Sequence, residues 1–88
     1  MTLKEQTAED ITQQVRNEIE DTLLMHAPDH WQEEELDRIE ENVLSHTRQV
    51  VDALSTSELQ SAGALDRHIE QAVAETKRLI HERKLGFR

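Results

Sequence analysis

Five histidines are the side chains of this sequence most suited to chemistry, since imidazole binds transition metals and titrates near neutral pH. They are His26, His30, His46, His68 and His81. Only His26 and His30 have the four-residue spacing of a helical zinc motif, and Pro28 between them is expected to break the helix. The remaining possibility for metal binding is a site in the loop, where His26, His30 and Asp29 would share one ion. The glutamate that a di-iron bundle places three residues before each histidine is absent, so we predict no metal site and no cofactor.

His46 differs from the other histidines because it falls on an apolar helical seam. It is interpreted as a boundary histidine bonded to a neighbouring side chain, or as a packing position that responds to pH. His68 and His81 flank the apolar stripe of the last helix, and we expect both to face solvent.

Composition argues against catalysis. The chain has no cysteine, so it cannot form a disulfide, a thiolate zinc site, an iron–sulfur cluster or a cysteine nucleophile. Two glycines are too few for a phosphate-binding loop, and one Trp and one Phe offer little lining for a substrate pocket. We therefore predict that the protein is not an enzyme.

The elements that position these residues are predicted to be helices throughout, because apolar residues recur at helical spacing and turn dipeptides are absent. We expect a single domain over 1–88 with helices at about 8–26, 30–54 and 57–84 and a short tail at 85–88. The fold class is all-α: a three-helix bundle, or a long antiparallel helical hairpin plus a shorter N-terminal helix. Leu, Ile, Val and Phe make up 21 of 88 residues, which predicts folding around a thin core.

Helix boundaries follow from capping residues and from the few breakers. Thr7 is expected to cap the first helix and Asp29 the second, and Pro28 separates them. The third helix is expected to begin after Ser57, which forms a capping box with Gln60. Gly63 either is tolerated inside that helix or ends a short helix before a fresh start near Ala64. Gly86 is expected to terminate the last helix.

The second helix carries an unusually broad apolar face. Its seam is formed by Leu36, Ile39, Val43, His46, Val50 and Ala53, and is widened by Leu44, Thr47, Val51 and Leu54. Such a face fits a central helix with two neighbours. Because the first helix is predicted to be short, we expect an uncovered apolar strip that favours a homodimer or a partner protein.

Charge is distributed unevenly around the overall value of −9. Residues 1–42 hold 13 acidic and 3 basic residues, whereas residues 43–88 hold 6 acidic and 7 basic residues. Compensation of helix dipoles and attraction within a hairpin explain part of this pattern. The alternative is an acidic docking face formed by Glu33, Glu34, Asp37, Glu40 and Glu41. The acidic balance disfavours binding to nucleic acid, although the basic end at 77–88 could still contact it.

These features predict a small acidic helical module that binds another protein with a basic surface, as an inhibitor, antitoxin, adaptor or accessory subunit. One alternative is an acidic mimic of nucleic acid that blocks a DNA- or RNA-binding protein, and another is a structural homodimer. No membrane-spanning or signal segment is evident, so we expect a cytoplasmic protein. The candidate partner-binding residues are Trp31, Glu34, Asp37, Glu41, Leu44, Val51 and Phe87.

Overall fold

The computed structural model describes residues 2–86 and confirms the all-α class. Within this range the chain forms four α-helices and no strand: α1 at Leu3–His26, α2 at Glu33–Ala53, α3 at Thr56–Leu59 and α4 at Ala64–Lys84. The described residues fill an elongated shape of 41 × 22 × 21 Å. The long dimension matches the 24-residue α1, which spans about 36 Å at 1.5 Å per residue.

The three long helices alternate in direction. Lys4 Nζ donates a hydrogen bond to the carbonyl oxygen of Asp52 at 3.1 Å, which joins the start of α1 to the end of α2. Arg83 Nη2 lies 3.5 Å from Glu35 Oε1, which joins the end of α4 to the start of α2. Both neighbours are therefore antiparallel to α2, while α1 and α4 run parallel and form the most extensive helix interface.

The core lies between α1, α2 and α4 and is almost entirely aliphatic. Its buried members are Ile11, Val15, Ile19, Leu23, Ile39, Val43, Leu44, Val51, Leu59, Ala72 and Ile80. The prediction that α2 packs between two neighbours is confirmed, since it contacts both α1 and α4. The predicted uncovered apolar strip is wrong, because none of the exposed large apolar side chains belongs to α2. The first helix is the longest of the four rather than a short one, so it covers the side of α2 that carries Leu44 and Val51.

Both predicted N-caps of the first two long helices are wrong. The side chain of Thr2 accepts a hydrogen bond from the Glu5 N–H, so α1 begins at Leu3 and Thr7 lies inside it. The backbone N–H of Trp31 donates to the Pro28 carbonyl at 3.2 Å, and this turn holds Asp29 outside the helix. As a result Gln32 occupies the N-cap of α2 without a side-chain bond. The predicted stop at Pro28 is confirmed, because α1 ends at His26.

The capping box before the last region is formed by other residues than predicted. The Ser55 N–H donates to Glu58 Oε1 at 3.0 Å and Ser55 Oγ accepts from the Glu58 N–H at 3.2 Å, so the box is Ser55 and Glu58 rather than Ser57 and Gln60. Gly63 has φ +77° and stands at the N-cap of α4, which settles its role as a break. The last helix ends at Lys84 before Gly86, whose φ is +83°, as expected.

Candidate partner-binding surface

Three of the predicted partner-binding residues lie together on the outside of α2. Glu34, Asp37 and Glu41 are all exposed. Intervals of three and four residues keep them on one side of the helix. An acidic strip of this kind attracts basic surfaces at long range and orients them on approach.

The apolar residues predicted to bind a partner are placed elsewhere. Leu44 is 0% exposed and Val51 is 1% exposed, so both belong to the core and the prediction that they contact a partner is wrong. Trp31 is half-buried and packs on the core at the end of the bundle. Phe87 lies outside the described residues.

A groove follows the contact between α1 and α2 on the acidic side of the molecule. This seam groove has a volume of about 660 Å³. It is lined by Glu5, Ala8, Glu9, Asp10, Thr12, Gln13, Arg16, Arg48, Val51 and Asp52. Ala8 and Val51 give it an apolar element, and most of its remaining lining is charged. The groove can therefore receive an extended or helical segment that carries charges of its own.

At one end the seam groove meets a crowded group of carboxylates. Arg16 Nε lies 3.6 Å from Glu40 Oε1, which joins α1 to α2. Burial raises the pKa of Glu40, and the nearby carboxylates of Glu20 and Asp37 raise it further, while Arg16 opposes the shift. One arginine therefore only partly offsets three carboxylates, and an additional cation at this point would relieve the repulsion.

Arg16 itself is incompletely satisfied. Its Nε atom is buried and has no hydrogen-bond partner among residues 2–86. The 3.6 Å separation from Glu40 is too long for a hydrogen bond. Sequence reasoning did not single out Arg16 or Glu20, although their four-residue spacing places both on the same side of α1.

A second groove separates α2 from α4 and contains two of the five histidines. His46 is exposed and its Nδ1 atom lies 2.9 Å from Glu75 Oε2, so it is the expected boundary histidine bonded to a neighbouring side chain. His68 is only 8% exposed, so the prediction that it faces solvent is wrong. Burial lowers the pKa of His68, and the adjacent Arg67 lowers it further. These groups form no metal centre: no set of three or more potential ligands comes together within residues 2–86.

Large apolar side chains reach solvent at only a few positions. Leu24 is 84% exposed and Met25 is 77% exposed, both at the C-terminal end of α1, and Leu3 and Leu85 are also exposed. Among the helices of residues 2–86, none has the length and apolar character needed to span a lipid bilayer.

Comparison of this chain with protein-family models, curated proteins and solved structures gave no significant match.

Proposed function

We propose that this protein is a non-catalytic binding module whose α1–α2 side docks on a basic segment of another protein. One observation carries the proposal. An exposed acidic strip formed by Glu34, Asp37 and Glu41 occupies the first half of α2, and the seam groove lies further along the same helix, beside Arg48 and Asp52. Arg16, which lines the groove, lies 3.6 Å from Glu40, where carboxylates from two helices crowd together. A partner that brings lysine or arginine side chains to this side would lower the electrostatic free energy of both surfaces.

The contribution of apolar contacts differs from what the sequence predicts. None of the exposed large apolar side chains belongs to α2, so its broad face offers a partner little apolar surface. Orientation and rate would come from the acidic side, and the apolar contribution would come from the half-buried Ala8 in the floor of the seam groove. Affinity dominated by charge should fall steeply as salt increases.

The experiment compares two charge-reversed variants of equal net charge. The variant Glu34→Lys/Glu41→Lys reverses the acidic strip of α2, and the matched control Asp66→Lys/Glu70→Lys reverses two exposed acids on α4. In each variant one reversed residue lies in the first turn of its helix, so the cost to helix stability is similar. Proteins captured from native lysate by the wild type are identified by mass spectrometry, and the purified pair is then titrated from low to high salt.

We expect the strip variant to lose its partner and the α4 control to keep it. Two reversed charges should weaken the purified complex by a factor on the order of ten or more. Equal binding by the strip variant and the wild type would refute the proposal. A captured DNA- or RNA-binding protein that nucleic acid displaces from the complex would instead identify the protein as a mimic of nucleic acid.

A further inference from the structure

Five charged residues on the flank of α2 that faces α1 follow one line of the helix with a single change of sign. Their successive intervals are 3, 4, 7 and 4 residues, which keeps them close to one side of an α-helix. They are Glu34, Asp37, Glu41, Arg48 and Asp52. We call this set the α2 stripe. It is acidic along its length except at Arg48. Arg38 is also exposed and lies beside the stripe, on the side away from α1.

Arg48 is not engaged within the protein itself. It is exposed and lines the seam groove. The ion pairs within residues 2–86 use Arg16, Arg78, Arg83 and His46 as their cations, and none of them includes Arg48. Asp52, one turn away on the same side, is not within ion-pair distance of it either. The guanidinium is therefore available to a partner, unlike that of Arg16, which is held against Glu40.

We propose that Arg48 selects among basic partners by requiring one carboxylate opposite it. This inference rests on the proposed function. A partner with uninterrupted positive charge would place a cation against Arg48, and like charges across an interface oppose binding. A partner with one acidic residue at that point gains an ion pair there and keeps its cations opposite the acids of the α2 stripe.

The register of α2 defines the pattern that the partner must present. At 1.5 Å per residue, Asp52 lies about 6 Å from Arg48 along the helix axis and Glu41 lies about 10 Å away on the other side. A helical segment alongside α2 would therefore carry lysine or arginine at positions i, i+11, i+15 and i+18 and glutamate at i+4. The partner class is a basic amphipathic helix with a single carboxylate near one end of its charged face.

Two synthetic helical peptides of identical composition test this inference. The first carries lysine at i, i+11, i+15 and i+18 and glutamate at i+4, and the second exchanges the residues at i+4 and i+11. Binding is measured by fluorescence anisotropy at low salt for the wild type and for Arg48→Glu. The matched control is Arg67→Glu, which changes the charge equally at an exposed position on α4. Circular dichroism establishes that each variant is folded.

We expect the wild type and Arg67→Glu to prefer the first peptide by about tenfold, because the exchange breaks two exposed ion pairs, one at Arg48 and one at Glu41. Arg48→Glu makes the stripe uniformly acidic, so it should bind both peptides equally. If the wild type binds both peptides equally and salt weakens each, the inference about Arg48 is overturned and the proposed function stands. If the wild type binds neither peptide at low salt, the inference and the basic-helix form of the proposed function both fail.

Discussion

Replacement of Leu44 by alanine tests whether α1 covers α2 as the structure shows. Leu44 is completely buried, so the substitution removes three carbon atoms from the core. At about 0.8 kcal/mol per methylene the transfer term is about 2.4 kcal/mol, and the cavity left behind adds to it. We therefore expect a loss of about 3 kcal/mol in the free energy of unfolding. For a domain of 88 residues this is a large share of a total on the order of 4–13 kcal/mol.

The matched control is the same substitution at an exposed leucine. Leu24 is 84% exposed, so Leu24→Ala should change the free energy of unfolding by less than about 0.5 kcal/mol. Urea unfolding followed by circular dichroism measures both variants, and the slope with denaturant should stay constant. The melting temperature of Leu44→Ala should fall by roughly 12–24 °C. A loss below about 1 kcal/mol, or equal losses in the two variants, would show that α1 does not cover this side of α2.

Three further predictions concern the helix breaks and the buried histidine. Gly63→Ala should lower the free energy of unfolding in urea by about 1 kcal/mol, because φ is +77° at this position although a Cβ would meet no other atom. Gly63→Asn should lower it less, because asparagine tolerates positive φ better than alanine. Equal losses in the two variants would show that backbone conformation is not the cause. Ser55→Ala should cost about 1 kcal/mol by loss of its cap, and an unchanged midpoint would argue against the capping box. Because burial lowers the pKa of His68, the unfolded state binds its proton first, so stability should fall as the pH drops below about 6.5. That fall should shrink in His68→Gln and persist in His46→Gln, and an unaltered pH profile in His68→Gln would refute this assignment.

The helical character of the chain and its main breaks follow from local chemistry. Periodic aliphatic residues predict helices because only a helix brings positions three and four apart onto one side. Pro28 cannot continue a helix, and Gly63 and Gly86 adopt positive φ more readily than other residues, so the end of α1, the start of α4 and its end are all local events. The acidic strip of α2 is likewise visible in the sequence, since residue spacing alone places Glu34, Asp37 and Glu41 on one side.

Several helix starts could not be assigned from the sequence, because two nearby residues could each cap the same helix. Thr2 and Thr7 offer the same capping hydroxyl, and Ser55 and Ser57 do as well. In each pair the residue earlier in the chain forms the cap, so α1 gains an additional turn at its start. The longer α1 reaches the apolar side of α2 and covers it. The sequence alone does not show which helix covers that side, because it does not specify which helices are neighbours.

Burial of individual side chains was decided by tertiary packing. Leu44 and Val51 lie on the α1 side of α2 and are closed off there, whereas His68 is buried in the contact of α4 with its neighbours. The seam groove, the crowding around Glu40 and the availability of Arg48 all require two helices in a fixed register. Spacing along the chain determines which side of its own helix a residue occupies, but only the packing of one helix on another determines what that side faces.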